Sequence, residues 1–364
     1  MAPSALLPEP EPEYVVVHAG KGTIKRQILT GDKKKPTFET IPQVDFSKMS
    51  SSSLSERKAV AEEVNAAFRH SGFLYAVNHG ISEELQSELS RVIKEFFDLP
   101  LEEKMKVIIQ LIEFPPVLTI DRFMLDETTR GDLKEAFAAG EDPYDPEQNP
   151  PEDLDWSKFS RNGNQWPASK EFRTIMYQYS AAILDFSRNL MRTIALALDL
   201  DEHHFDDMAK FPTGGLRALH YPSQETSNDV GIGAHADYSW FTLVNQLSDT
   251  PALEVLNHNG QWVSAPPIRN TLVVNVGDLL EMATNNEFVS TVHRVVNKTG
   301  KERYSIPYFF APTSETMIET FPSCVTSEKP AMKPIKSGDW LRERLLRARY
   351  KHPSSVAARA RGEI

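Results

Sequence analysis

The chain has 364 residues, 40% of them hydrophobic, and a formal net charge of -11. That length sustains one large core or two modest ones, and the acidic balance leaves no basic face for nucleic acid or an anionic membrane, so a small-molecule partner is expected. The single cysteine, Cys324, excludes an intramolecular disulfide and fits a reducing compartment, and no apolar run approaches the roughly 20 residues needed to span a bilayer. Met1 to Tyr14 is rich in Pro and Glu and lacks the basic-then-apolar order of a signal peptide. A cytoplasmic protein, monomeric or weakly oligomeric, is the expectation.

Residues 1–40, with the cluster Lys33-Lys34-Lys35-Pro36, read as a solvated arm lying over the domain. A strand follows at Ile41 to Phe46. Ser51 to Ser55 offer N-caps for a helix with Val60, Val64, Ala67 and Phe68 on one side, ended by Gly72, and Phe73 to Val77 is a strand. His79, at a turn with Gly80, reads as structural. A second amphipathic helix starts after Ser82 and breaks before Pro100. Glu141 to Asp155, dense in Pro, Asp and Glu, is a loop. From Pro167 to about Leu200 apolar residues recur every three or four positions, which predicts a long core helix. His203 and His204 are adjacent on what reads as a short helix, point in different directions, and make a poor metal pair.

From about Leu216 the period becomes alternating. Leu253 to Leu256 and Gln261 to Ser264 flank His258-Asn259-Gly260, and Asn-Gly between apolar runs signals a hairpin. Many short antiparallel strands that must protect their edges imply a jelly roll, with Leu341 to Tyr350 as a terminal helix over the sheet.

Within this half, Gly233-Ala-His-Ala-Asp-Tyr238 places His235 and Asp237 two residues apart, so that in an extended segment they address one point. With His293 they supply two imidazoles and a carboxylate, the facial triad of a non-haem Fe(II) site with open positions. Arg303 and Ser305 share one face of the apolar strand Glu302 to Phe310. A buried guanidinium needs an anion, and the serine hydroxyl reaches the same carboxylate, which describes a dicarboxylate clamp. The same His-Asp-His set can also hold Zn2+ with a bound water and act as a hydrolase, a reading that gives Arg303 no purpose. A non-catalytic binding protein on the same scaffold is a further alternative.

The segments His220-Tyr221-Pro222, His235-x-Asp237, Thr271 to Leu280, His293-Arg-Val and Arg303-x-Ser305 resemble, in order and spacing, the Fe(II)/2-oxoglutarate dioxygenases of the isopenicillin N synthase-like subfamily. Ile41 to Phe46 and Gly72 to Ile81 extend the resemblance, which covers about residues 40 to 350. It implies a mixed α and β fold, a double-stranded β-helix (cupin-like jelly roll) with an N-terminal helical and strand region and flanking helices. The divisions are an arm (1–40), a mostly helical N-terminal region (41–205), the core with its C-terminal helix (206–350), and a tail (351–364).

The resemblance further implies Fe(II) held by His235, Asp237 and His293, with 2-oxoglutarate as cosubstrate contacting Arg303, Ser305 and Tyr221. O2 is consumed, succinate and CO2 leave, and a small organic metabolite is hydroxylated, desaturated or cyclised, as in secondary metabolism. Leu219 stands where many plant relatives carry asparagine, and His220 is the neighbouring residue able to compensate. Isopenicillin N synthase itself retains the Arg-x-Ser pair without using 2-oxoglutarate, so an oxidase remains the alternative. Trp240, Phe241, Phe309 and Phe310 are candidates for an apolar substrate pocket. Val107 to Phe123 departs from the family's polar loop and reads as a lid, an edge strand, or a segment without function.

Overall fold

The computed structural model describes residues 13–19, 22–107, 118–119, 133–140, 144–145, 164–223, 231–348 and 353–364. At the N-terminal end β1 (Tyr14–Ala19) and β2 (Gly22–Gln27) form an antiparallel hairpin. β3 (Gln43–Asp45) leads through α1 (Leu54–His70) to β4 (Phe73–Val77), its parallel neighbour. α2 (Glu83–Phe97) begins at Ser82, whose hydroxyl accepts from the Leu85 amide, a cap worth about 1 kcal/mol. α3 (Leu101–Met105), β5 (Leu118–Thr119) and β6 (Glu135–Ala139) precede α4 (Lys170–Ala197), which Ser169 caps in the same way.

Short strands then dominate: β7 (Thr213–Tyr221), β8 (Ile232–His235), β9 (Phe241–Gln246), β10 (Leu253–Leu256), β11 (Trp262–Ser264) and β12 (Leu272–Val276). After the short helix α5 (Asp278–Ala283) come β13 (His293–Val295), β14 (Arg303–Ala311), β15 (Met317–Ile318) and β16 (Ile335–Lys336). α6 (Ser337–Ala348) and α7 (Pro353–Ala360) close the chain. Among the described residues the strands make an eight-stranded sheet, ordered β3-β4-β12-β9-β14-β7-β6-β5, and a six-stranded sheet, ordered β11-β10-β13-β8-β1-β2.

Strands in the middle of the large sheet serve two cores because their side chains alternate. On β14, Tyr304, Ile306, Tyr308 and Phe310 face the helices and join Phe68 of α1, Phe96 of α2 and Met176, Ile183 and Leu190 of α4 in the main apolar cluster. The opposite face meets the small sheet: Tyr75, Leu219, Tyr221 and Val273 pack with Val255, Val263 and Val295 in a second cluster. This is the jelly-roll arrangement of two facing sheets, with helices behind one of them.

The predicted helices at Ser51–Gly72, after Ser82 and along Pro167–Leu200 are α1, α2 and α4, and the Asn-Gly hairpin is β10–β11, with Gly260 at φ +72°. The N-terminal arm carries strands that periodicity did not announce. Tyr14 and Val16 are exposed, and β1 in addition extends the small sheet by pairing in parallel with β8, His18 opposite His235. The following segment is tied to the hairpin turn, where Asn259 Oδ1 accepts from the Lys35 amide and its Nδ2 donates to the Lys35 carbonyl. Gly260 permits that approach, since a Cβ there would lie 2.9 Å from the Gln27 carbonyl oxygen.

The expected tail contains α7, whose Ser355 and Ala358 are buried. His203 and His204 sit in a run of turns rather than a helix. Of the atypical segment 107–123, only Val107, a core residue, and Leu118–Thr119 lie within the described residues. The latter form the edge strand β5, paired with Ala136 and Phe137.

Candidate metal centre and cosubstrate clamp

His235 ends β8, Asp237 lies in the loop that follows, and His293 opens β13 directly across from His235. One donor atom from each falls within 4.8 Å of the other two, close enough to share a metal ion. His235 Nε2 and His293 Nε2 stand 3.6 Å and 3.8 Å from Asp237 Oδ1. Each imidazole is oriented from behind: Nδ1 of His235 donates to the Gly233 carbonyl at 2.8 Å, and Nδ1 of His293 to the Thr291 carbonyl at 3.2 Å. Those bonds fix the tautomer that leaves Nε2 unprotonated and aimed inward. Asp237 is arranged likewise, since Oδ2 accepts from Thr242 Oγ1 (2.6 Å) and Asn275 Nδ2 (2.8 Å), leaving Oδ1 toward the histidines.

The electrostatics suit a cation. Burial, and then repulsion from His293, push His235 down to about 4, so its ring is neutral at ordinary pH. Burial opposes ionisation of Asp237, but attraction to His293 and His235 and the bonds from Thr242 and Asn275 hold its carboxyl below the usual value. A neutral imidazole and an ionised carboxylate are the ligand forms a divalent ion requires. His79, His203 and His204 stand apart from this group. His79 is buried and accepts from the Ile81 amide, His203 pairs with Asp206, and His204 packs on Phe205.

Arg303 opens β14 and is among the largest fully buried side chains. Its Nη1 donates to Ser305 Oγ (3.0 Å), Nη2 lies 3.3 Å from Gln246 Oε1, and the guanidinium carbon stands 4.9 Å over the Tyr221 ring. Burial drives its pKa below the ordinary arginine value, and Nε is buried with no hydrogen-bond partner among the described residues. A guanidinium held by a hydroxyl, an amide and a phenol has a fork to offer a carboxylate, which would supply the missing counter-charge.

Strand parity corrects two expectations. Leu219 and Tyr221 face the inter-sheet space, so His220 faces the helices, where Nδ1 donates to Glu135 (2.9 Å) and the ring stacks on Tyr304 at 4.6 Å. It cannot compensate for the apolar Leu219. Trp240, Phe241 and Phe310 are likewise in the helix-side core, with Trp240 against Phe205 and Phe241 stacked on Phe310 at 4.7 Å. Only Phe309, half-buried, shares the parity of Arg303 and Ser305. Residues that motif reading passed over also line this face: Thr242, Gln246 and Asn275 by their bonds to the site, and Lys134, buried and near enough that its charge depresses His235. Their signal was parity: Thr242 and Gln246 alternate with Phe241, Leu243 and Asn245 along β9.

A facing-sheet barrel with a His-Asp-His cluster and a buried arginine has the architecture of a mononuclear non-haem metalloenzyme. Family models agree along the chain: one described as non-haem dioxygenase in morphine synthesis N-terminal matches residues 41–169, and one described as 2OG-Fe(II) oxygenase superfamily matches residues 212–312. The 2-oxoglutarate-Fe(II) type oxidoreductase hxnY of Emericella nidulans is 34% identical over 317 residues, covering 83% of this chain and 88% of the relative. The homoarginine-6-hydroxylase 2-ODD-C23.1 of Arabidopsis thaliana is 34% identical over 305 residues, 79% of this chain and 89% of that one. A full-length Neurospora crassa protein, solved in complex with alpha-KG, superposes with a TM-score of 0.69 at 29% identity, covering 84% of this chain and 95% of its own. The chain therefore belongs to the 2OG-Fe(II) oxygenase superfamily and is an oxidoreductase whose cofactor is Fe(II) and whose cosubstrates are 2-oxoglutarate and O2.

Proposed function

We propose that His235, Asp237 and His293 are the iron ligands, that Arg303, with Ser305 and Tyr221, binds the distal carboxylate of 2-oxoglutarate, and that the substrate is a small metabolite of secondary metabolism handled in the cytoplasm. The observation that carries this reading is Arg303, a buried cation with neutral partners on the same inter-sheet face as the side chains that hold Asp237. Iron held there would, together with 2-oxoglutarate and O2, supply an oxidant able to take hydrogen from a substrate, with succinate and CO2 as coproducts. The residues position and exclude. His293 and His235, and then Thr242 and Asn275, favour the ionised form of Asp237, the two carbonyl acceptors keep each Nε2 inward, and Phe309, across from Thr242, and Leu219, across from Ser305, add apolar side chains on strands that carry the site.

The same Neurospora crassa protein was also solved with alpha-KG and thymine, which supports a small-molecule substrate for a chain of this architecture. The net charge of -11 supports the absence of nucleic-acid or membrane partners, and the protein is read as a monomer or weak oligomer. Anaerobic titration of the Fe(II) protein with 2-oxoglutarate tests the clamp, because bidentate chelation creates a visible charge-transfer band. Absence of that band at saturating cosubstrate would favour the oxidase alternative and assign Arg303 to a substrate carboxylate or to a structural ion pair. Succinate formation above background across a metabolite panel then identifies the substrate.

A further inference from the structure

Two of the three proposed ligands sit on β-strands, whereas Asp237 sits in the loop 236–240 between β8 and β9. A ligand on a loop keeps its geometry only if something outside the loop holds the backbone. Here the holding elements come from α5 and from the C-terminal helix α6. The Asp278 amide donates to the Asp237 carbonyl at 2.8 Å, and Trp340 Nε1 donates to the next carbonyl, that of Tyr238, at 3.1 Å. Gly277 permits the first bond, since a Cβ there would lie 2.1 Å from the Ser239 carbonyl oxygen.

One turn beyond Trp340, and so on the same face of α6, is Arg344. It is buried, its guanidinium carbon lies 4.2 Å over the Tyr238 ring, and Nε stands 4.0 Å from Asp278 Oδ2. The other carboxylate oxygen of Asp278 accepts from Ser290 Oγ at 2.8 Å, and Ser290 lies on the short approach to His293. Asp278 thus touches both ligand-bearing segments, one through backbone and one through Ser290, and Arg344 sits against Asp278 and Tyr238 together. α6 is itself pinned, with the Ser337 amide donating to the Thr316 carbonyl and the Gly338 amide to the Ser314 carbonyl, both at 2.9 Å.

We propose that Arg344 is a positioning residue for the metal centre: from the C-terminal helix it clamps Tyr238 and Asp278, and thereby sets the Asp237 carboxylate against the two histidines. The proposal rests on His235, Asp237 and His293 being the metal ligands. Its chemistry is that of an outer layer around a metal site, where removal of an orienting partner weakens metal binding about ten- to a hundredfold without removing a ligand.

The test is anaerobic titration of the full-length apoprotein with Co(II), following its visible ligand-field absorption, with the apoprotein melting temperature measured in parallel. Arg344→Met, which keeps bulk and loses charge and planarity, is expected to raise the Co(II) dissociation constant about ten- to a hundredfold and to alter the ligand-field bands. Arg344→Lys should recover part of the loss. Arg57→Met is the matched control: it breaks a partly buried pair with Glu202, at 2.8 and 2.7 Å, with no contact to the metal segments. It should lower the melting temperature and leave Co(II) affinity within twofold of wild type. Affinity within twofold of wild type in Arg344→Met would overturn the proposal, as would an equal loss in Arg57→Met, which would mean general loosening. If Arg344→Met does not fold, Trp340→Phe decides: it removes only the bond to the Tyr238 carbonyl, and unchanged Co(II) affinity there counts against the clamp. A wild-type protein that bound no Co(II) would instead remove the metal centre and the proposal with it.

Discussion

The two faces of the eight-stranded sheet are built from the same strands yet obey different rules. On β14 the helix-facing side is Tyr304, Ile306, Tyr308 and Phe310, all in one apolar cluster, while the other side begins with Arg303 and Ser305 and includes the half-buried Phe309. On β9, Phe241 and Leu243 go to the helices, whereas Thr242 and Gln246 bond Asp237 and Arg303. The helix side gains from close packing of apolar volume. The inter-sheet side keeps buried polar groups that cost stability unless each is paired, and these are the groups with chemistry to do. Stability and activity are therefore separable residue by residue along a single strand.

The largest effect expected is on the inter-sheet side. Asp237→Ala removes a proposed ligand, so metal affinity should fall by more than the roughly hundredfold that losing an orienting partner causes, and turnover should reach background while the circular dichroism spectrum is retained. Undiminished iron content would take Asp237 out of the site. On the opposite side Phe310→Ala should cost about 3 to 5 kcal/mol of stability, read by urea denaturation, with 2-oxoglutarate affinity of the folded protein unchanged. A weakened cosubstrate with intact stability would abolish the distinction between the faces.

Smaller is the effect of Arg303→Lys, which keeps charge but loses the planar fork. Losing a charge-assisted hydrogen bond costs about 1.5 to 3 kcal/mol, a roughly ten- to hundredfold weaker 2-oxoglutarate, seen in the charge-transfer titration with iron affinity retained. The smallest effect is a pH dependence at Glu281 of α5, which accepts from the Ser290 amide. Burial raises Glu281 from about 4.5 to about 7, so between those values the folded protein holds a proton that the unfolded chain releases. Its contribution is present below about 4.5 and is lost as pH rises through about 7. Glu281→Gln should leave the apoprotein melting temperature nearly unchanged at pH 4.5 and raise it relative to wild type at pH 8. Equal differences at both pH values would refute the assignment.

Much of this was legible in the sequence because it is local. Helix periodicity, the cap at Ser82 and the turn at Gly260 depend on near neighbours, and His235, Asp237, Arg303 and Ser305 carry their spacing with them. Parity within β14 was legible too: once Arg303 faces the site, Phe309 shares its side and Phe310 does not. Trp240 and Phe241 were harder, since the loop after Asp237 resets the alternation before β9 begins. What local reading could not reach was pairing across long separations. The arm's attachment to β8, the bond from Asn275 to Asp237, and the approach of Trp340 to Tyr238 each join segments distant in the chain.

The attachment of β1 to β8 also has a kinetic consequence. His18 is opposite His235, and β8 in turn pairs with β13, so the strand that carries the first histidine takes its neighbours from near residue 18 and near residue 293. During synthesis the N-terminal hairpin emerges long before either partner exists and waits for more than half the chain. Closing such separated pairs is slow, because the entropy of a long loop is lost before its contacts form. The attachment of β1 to the sheet that bears the histidines is therefore expected to form late in assembly, as is the pairing of β4 with β12 in the large sheet, which spans a comparable separation.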